Sequence, residues 1–137
     1  MIHKKKQGSF GYDKLNGVGG HIEKGEEPFE SALREISEET GVEISNLELA
    51  SILFIDINTN PGIQVFVFKA DFVCGKTAHS DEGNLLWMSY AEIKKSNDVL
   101  ADVTELIQIC ETYIKGSKPA ILKYLYDESG QLRIVKC

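Results

Sequence analysis

Hydrophobic positions recur along the chain with two different periods, and these periods predict the order of its helices and strands. A spacing of three and four residues, typical of amphipathic helices, follows Pro28 and occurs again after Asp102. Runs of β-branched and aromatic residues predict strands over Leu47–Asn58 and Gln64–Phe72. The turn-forming residues 58–62 between these runs predict a hairpin loop. The chain is therefore expected to combine helices with paired strands.

The first helix has clear predicted ends. Proline at the first helical position, with acidic residues around the first turn, predicts that the helix begins near Pro28. Glycine favours the left-handed conformation that closes many helices, so the helix should end at Gly41. The apolar residues at helical spacing between these ends, which we expect to be buried, are Phe29, Ala32 or Leu33, and Ile36.

The other predicted elements complete an α+β fold. In chain order they are a strand end leading into a basic loop at Met1–Lys6, a strand over Leu85–Ser89, a helix over Tyr90–Lys95, a helix over Val103–Lys115, and a hairpin that pairs Ala120–Tyr126 with Leu132–Val135. We expect Gly116 to end the last helix and Trp87 to lie in the core rather than to stack on a base. This order places a mixed sheet between the two long helices.

Composition narrows the class of protein. The 137 residues suffice for one domain over 1–137, and 42% hydrophobic with 26% charged residues is typical of a soluble globular protein. No apolar run approaches the roughly 20 residues of a membrane span, and the N-terminus lacks the apolar core of a signal peptide. We therefore expect a cytoplasmic protein with no membrane partner. A net charge of −6 argues against binding of a nucleic-acid polymer but not of a nucleotide, because a bound cation can reverse the local field.

Acidic residues crowd one flank of the first helix. Glu35, Glu38 and Glu39 are three or four residues apart, with Arg34 one turn before Glu38. Such crowding is an ordinary feature of solvated helix faces, which is the structural interpretation. The functional interpretation is a cation site, because Mg²⁺ binds one or two carboxylates together with substrate phosphates.

The spacing of the whole segment favours the functional interpretation. The order of specified residues is Gly20, five residues, Glu26, seven residues, Arg34-Glu35-Ile36, one residue, Glu38-Glu39, one residue, Gly41-Val42. With ordinary residue frequencies a chance match at one starting point is on the order of 10⁻⁹ or less. This segment resembles the complete Nudix box. The resemblance implies a Nudix-type α/β/α sandwich and the metal-dependent hydrolysis of a nucleoside diphosphate linked to another group.

The resemblance also implies roles for individual residues. The implied metal ligands are the Gly20 carbonyl, Glu38 and Glu39, with Glu35 as a further ligand or as the base that deprotonates water. Arg34 is expected to orient a neighbouring carboxylate, and Glu82, with Asp81 as the alternate, to reach back to the metals. The implied cofactor is Mg²⁺, with Mn²⁺ as a substitute.

Segments outside the box resemble the subgroup that hydrolyses 8-oxo-dGTP and related oxidised purine nucleotides. Asn16 resembles a base-contacting residue of that subgroup, although a turn residue is the plain alternative. Asp102 is expected to cap the last helix or to contact the purine. Lys5, in a basic loop before the box, is a solvated residue or a contact for the phosphate tail. The competing functions are hydrolysis of ADP-ribose or dinucleoside polyphosphates, and a Nudix-fold sensor without catalysis.

The beginning of the chain departs from the family pattern. Nudix domains usually start with a long strand before the segment equivalent to Met1–Lys6, and here that strand is missing. We expect a sheet with an open edge, a homodimer that supplies the strand, or a truncated start.

Overall fold

A computed structural model describes residues 1–4, 15–56, 62–77 and 83–137. The helices are α1 (Pro28–Thr40), α2 (Tyr90–Lys95) and α3 (Val103–Thr112). The strands are β1 (Ile2–Lys4), β2 (Leu15–Asn16), β3 (Glu43–Asp56), β4 (Ile63–Cys74), β5 (Gly83–Leu85), β6 (Ala120–Tyr126) and β7 (Leu132–Lys136).

The strands form two sheets. A four-stranded mixed sheet has the order β4-β3-β6-β7, in which β3 and β6 are parallel and the other pairs antiparallel. A three-stranded antiparallel sheet has the order β2-β1-β5. Because β1 is the central strand of this small sheet, it is hydrogen-bonded on both sides and presents no open edge itself.

The four-stranded sheet lies between α1 and α3. Leu53, Leu122 and Tyr124 form its buried core, against which Leu106 and Ile109 of α3 pack. On α1, the ring of Phe29 meets that of Phe68 edge-on, with 4.8 Å between ring centroids. Successive residues of a strand point to opposite faces, and Val67, next to Phe68, packs against the core on the α3 side. The predicted mixed sheet between two helices is therefore confirmed.

Local signals set both ends of α1 where the sequence predicted them. The Glu27 carboxylate accepts from the backbone N–H of Glu30 at 2.7 Å, and the Glu30 carboxylate accepts from the N–H of Glu27 at 3.1 Å. This reciprocal pair satisfies donors that the first helical turn leaves without partners. At the other end Gly41 takes the left-handed conformation, with φ of 68°, and its N–H donates to the Ser37 carbonyl.

Burial along α1 differs from the prediction. Phe29 is 40% exposed and Leu33 is 50% exposed, so the predicted apolar stripe is not buried as a whole. The buried residues of α1 are instead Ser31, Glu39 and Thr40. Glu39 is on the side that the glycine turn before the helix covers, because the Gly19 N–H donates to its carboxylate. A periodic pattern identifies the helix, but it does not show how deeply other parts of the chain bury each side chain.

Three other predictions are corrected. The strand expected over Leu85–Ser89 is β5 and ends at Leu85. Trp87 is 69% exposed rather than a core residue, and its ring packs edge-on against that of Phe72. The last helix ends at Thr112 instead of continuing to Lys115, because the backbone becomes extended at Tyr113. None of the described helices is long and apolar enough to cross a bilayer.

The small sheet is joined to the segment that leads into α3. The Leu15 N–H donates to the Asp98 carbonyl at 2.7 Å, and the Leu100 N–H donates to the Leu15 carbonyl at 3.1 Å. These bonds hold Asn16, the second residue of β2, beside the segment that leads into α3. Asp102, two residues after Leu100, is the N-cap of that helix.

Candidate active site

Arg34 is the centre of a cluster of carboxylates on α1 and on the loop before it. Its Nε donates to Glu26 Oε1 at 2.6 Å and its Nη2 to Glu26 Oε2 at 3.1 Å, which is a two-pronged ion pair. Its Nη1 donates to Glu35 at 2.9 Å and to Glu38 at 3.1 Å. Its Nη2 also donates to the His21 carbonyl at 3.1 Å. One guanidinium therefore ties the glycine-rich loop to the acidic flank of α1.

The ion pair shifts both partners toward their charged forms. Hydrogen bonds from Arg34, and then from the backbone N–H of Glu23, lower the pKa of Glu26 to about 2. The same bond to Glu26, with those to Glu35 and Glu38, raises the pKa of Arg34. The loop and helix are thus held together by groups that stay ionised throughout the physiological range.

Glu39 is the buried acid of the cluster. It is 6% exposed, and its Oε2 accepts the backbone N–H of Gly19 at 3.1 Å. A carboxylate so deeply placed needs hydrogen-bond donors, and the glycine turn supplies one from the backbone. This contact brings the turn to the C-terminal half of α1.

Gly20 and Glu35 approach so closely that a side chain at position 20 would displace the Glu35 carboxylate. A Cβ atom built on Gly20 would lie 2.6 Å from Glu35 Oε2 and would collide with the rest of that carboxyl group. At Gly19 the same construction meets nothing within 4 Å. The absence of a side chain at position 20 therefore leaves room for the Glu35 carboxylate in its observed position, and no unusual backbone angle is involved.

The residues of the cluster fit the predicted Mg²⁺ by their chemistry. Carboxylates and a backbone carbonyl are the oxygen donors that this hard cation prefers, and the turn brings Gly20 to Glu35 and Gly19 to Glu39. In the described part of the chain, however, no three acidic, histidine or cysteine side chains converge closely enough to hold a cation as they stand. The guanidinium of Arg34 now lies between Glu35 and Glu38. Glu38 is the accessible acid of the set, with 62% of its side chain exposed against 14% for Glu35.

Two predicted substrate contacts lie away from this cluster, at the joint between β2 and α3. The Asn16 Oδ1 accepts the N–H of Gly17 at 2.8 Å. Asp102 occupies the N-cap position of α3, but its side chain makes no capping hydrogen bond, so the expected capping role is wrong. Asn16 is three residues from Gly19, a separation that an extended chain spans in at most roughly 11 Å. Lys5, Asp81 and Glu82 lie outside the described residues.

Sequence reasoning missed two residues. Glu26 was visible as a position of the box, yet its partner could not be read from spacing, because it pairs with Arg34 across eight residues. Tyr124 looked like an ordinary alternating strand residue of β6. Its hydroxyl is buried near Asp102, and nothing in the local sequence indicates that proximity.

The fold agrees with comparisons to known proteins. The model of the NUDIX domain family matches residues 2–107. The oxidized purine nucleoside triphosphate hydrolase of Danio rerio is 35% identical over 94 residues, which is 68% of this chain and 60% of the relative. The protein of the same name from Mus musculus is 32% identical over 94 residues, with the same coverage. The crystal structure of the MutT protein from Bacillus halodurans superposes with a TM-score of 0.70, covering 97% of this chain and 86% of that chain at 24% identity.

This chain belongs to the Nudix family, because the family model covers more than half of it. The structural match supports the same fold. The chain spans 60% of the length of the two hydrolases that it resembles. The substrate in their name is therefore a property of these relatives.

Proposed function

We propose that the protein hydrolyses a nucleoside diphosphate linked to another group, with an oxidised purine nucleoside triphosphate as substrate and the monophosphate and pyrophosphate as products. The observation that carries this proposal is the carboxylate cluster of Glu35, Glu38 and Glu39, organised by Arg34 and by the turn at Gly19 and Gly20. The names of the vertebrate relatives support the choice of substrate.

The reaction requires a water to attack phosphorus while the bridging oxygen leaves with the outer phosphates. A bound Mg²⁺ would supply charge neutralisation at the phosphate oxygens, held by Glu35, Glu38, Glu39 and the Gly20 carbonyl. Mn²⁺ offers the same chemistry. Either Glu35 or Glu38 then takes the proton of the attacking water, and Arg34 holds both carboxylates in place for that transfer. Buried Glu39 keeps the glycine turn against the helix.

Substrate recognition is proposed to use the joint at β2 and α3. Asn16 and Asp102 carry amide and carboxylate groups suited to the edge of a purine, and the chain between Asn16 and the turn is short enough for one nucleotide to contact both regions. We propose Lys5 as a contact for the phosphate tail and Glu82 as a further acid for the cation.

A nucleotide panel with and without Mg²⁺ tests the proposal. We expect an oxidised purine triphosphate to give monophosphate and pyrophosphate, detected as orthophosphate only after pyrophosphatase is added. Activity should rise toward alkaline pH, because the attacking water must lose a proton beside carboxylates that stay ionised. Orthophosphate released together with nucleoside diphosphate would refute the proposed site of attack.

The same panel separates the alternatives. Turnover of ADP-ribose or dinucleoside polyphosphates without turnover of triphosphates would assign a different Nudix substrate. Binding without turnover of any compound would assign a sensor.

A further inference from the structure

Strand β4 forms one edge of the four-stranded sheet. It pairs with β3 on one side, and no strand of the described residues pairs with it on the other side. None of its 12 residues is buried, whereas Ala50, Ser51 and Leu53 of the neighbouring β3 are. An edge of this length presents a row of backbone N–H and C=O groups to which a further strand can be added.

The two edges of the sheet differ in charge and length. The other edge, β7, has 5 residues, and two of them, Arg133 and Lys136, carry positive charges that disfavour pairing with a second copy. The charged residues of β4 are Lys69 and Asp71, which have opposite signs, and most of its other residues are apolar. The pattern of β4 is therefore compatible with pairing to itself.

Side chains alternate along β4 between the two faces of the sheet. Phe68 meets an aromatic ring of α1, whereas the Lys69 ammonium donates to the Cys110 carbonyl of α3 at 3.0 Å. The register shift opposite this part of β4 adds a residue to β3, not to β4, and so preserves the alternation. Asp71 therefore lies on the face of Lys69, and Phe72 on the face of Phe68.

Two copies of β4 can pair antiparallel around a two-fold axis perpendicular to the sheet. Such an axis keeps the faces of the two sheets aligned, and because opposite residues of paired strands share a face, one residue must lie opposite itself. With Ala70 at this point, Lys69 of each copy lies opposite Asp71 of the other. No other centre brings these two charges together, and a centre at Lys69 or at Asp71 would oppose like charges.

The same register covers apolar surface beside the edge. Phe72 is 52% exposed, and Trp87, whose ring packs edge-on against it with 5.3 Å between centroids, is 69% exposed. With Ala70 on the axis, Phe68 of the second copy lies opposite Phe72. Contiguous exposed apolar side chains mark interaction surfaces, and aromatic cross-strand pairs stabilise paired strands.

We propose that the outer edge of β4 is an interface with a second copy of this chain, which pairs antiparallel about Ala70 and joins the two four-stranded sheets into one. Both charged groups have hydrogen-bonding capacity for the new pair. The Asp71 carboxylate accepts from Asn46 through one oxygen at 2.8 Å, and the Lys69 ammonium has three donors, one of which serves Cys110. The inference does not depend on the proposed function.

Charge reversal tests the register through the mass of the protein in solution. Light scattering over a concentration series should give twice the chain mass of 15.3 kDa for the wild type. Asp71→Lys places lysines opposite each other at both pairs and should raise the dissociation constant at least about tenfold. Combining it with Lys69→Asp should restore the dimer, although this double variant also lacks the bond to Asn46. Arg133→Glu, an exposed charge reversal on β7, is the control and should keep the wild-type mass.

A cysteine on the axis tests the geometry directly. Cys74→Ser and Cys137→Ser first remove the two exposed thiols. In that background Ala70→Cys should give a disulfide-linked dimer under mild oxidation, because opposite Cβ atoms of paired strands are about 4.5–5.5 Å apart, close to the span of a disulfide. Gln64→Cys is the control, since it would lie roughly 40 Å from its counterpart in this register and should not cross-link.

A wild type that keeps the mass of a single chain at millimolar concentration and an Ala70→Cys variant that does not cross-link would overturn the inference. A dimer that Asp71→Lys leaves intact, or that cross-links through Gln64→Cys instead of Ala70→Cys, would also overturn it, because another surface would then join the copies. If Asp71→Lys does not fold, the cross-link at Ala70→Cys decides alone.

Discussion

Arg34 holds the acidic residues of the cluster in a defined arrangement. It binds Glu26 through two nitrogens and leaves a third nitrogen for Glu35 and Glu38. Without it, ionised side chains on successive turns of α1 would repel one another. The guanidinium is thus the internal counter-ion of the cluster, and a bound cation would add to that compensation.

The contact between Gly20 and Glu35 allows the position of the Glu35 carboxylate to be tested by adding a single methyl group. Gly20→Ala places a methyl group into the Glu35 carboxylate, which must then leave its position. We expect activity to fall at least about 10²-fold, the effect of losing one preorganised electrostatic group. Gly19→Ala is the matched control, since its methyl group meets nothing within 4 Å. Steady-state kinetics of the two variants decide the point, and equal activity would show that the position of Glu35 does not matter.

Glu38 is the carboxylate whose replacement should separate catalysis from folding. It is exposed, so Glu38→Gln removes a charge without opening a cavity. We expect a rate loss of roughly 10² or more, with little change in Tm. Glu111→Gln, at an exposed position of α3, is the control and should retain full activity. Full activity of Glu38→Gln at saturating Mg²⁺ would remove Glu38 from the proposed mechanism.

The sequence predicted the bounds of α1 and α2 well because the signals at their ends are local. Pro28 and Gly41 mark α1, and the helix Tyr90–Lys95 was predicted with the bounds observed. Burial was predicted poorly, because it depends on which distant segment covers a residue. Phe29 is in contact with Phe68 and is still 40% exposed. Trp87 lies outside the core, although a large aromatic residue at this position was expected inside it.

The same distinction holds for the candidate site. The box spacing predicted Glu35, Glu38 and Glu39 together because three and four residues return to one side of a helix. Leu106 and Ile109 of α3, by contrast, pack against the core that contains Tyr124 of β6, a tertiary contact for which spacing carries no information.

The left-handed end of α1 can be tested as an element. Gly41→Ala forces a side chain into a conformation that costs about 1–2 kcal/mol for L-residues. We expect Tm to fall by roughly 4–8 °C. Gly41→Asn should lose less, because asparagine adopts this conformation more readily than alanine. Thermal melts followed by circular dichroism measure both, and an equal loss for the two variants would point to packing rather than to the backbone angle.

One short segment of the chain contacts two regions that are far apart in the sequence, the acidic helix α1 and the segment before α3. The glycine turn binds the acidic helix through Glu39, and β2, a few residues earlier, binds the segment before α3. Residues 15–20 therefore connect the acids that we propose for the phosphates to the residues that we propose for the base. Changes in this short segment should affect substrate binding more than changes of equal size elsewhere on the surface.

Stability of the whole molecule should depend on pH through Glu26. Its pKa is lowered in the folded state from 4.5 to about 2, mainly by Arg34, so the folded protein favours the ionised carboxylate. The resulting stabilisation is fully present above pH 4.5 and is lost as pH falls toward about 2, where the folded protein also binds the proton. Glu26→Gln lacks this contribution at every pH.

We therefore expect Glu26→Gln to be less stable than the wild type at pH 7 and the difference to shrink steadily between pH 4.5 and about 2. Urea unfolding at a series of pH values measures it, because the midpoint and the slope of each curve together give the free energy of unfolding at that pH. The exposed Glu111→Gln serves again as the control, and its difference from the wild type should stay small across the series. A difference between Glu26→Gln and the wild type that is constant from pH 7 to pH 2.5 would mean that the Glu26 carboxylate is not held in its ionised form by Arg34. The coupling of the loop to α1 would then have to come from the contact of Gly19 with Glu39 and from the bond of Arg34 to the His21 carbonyl.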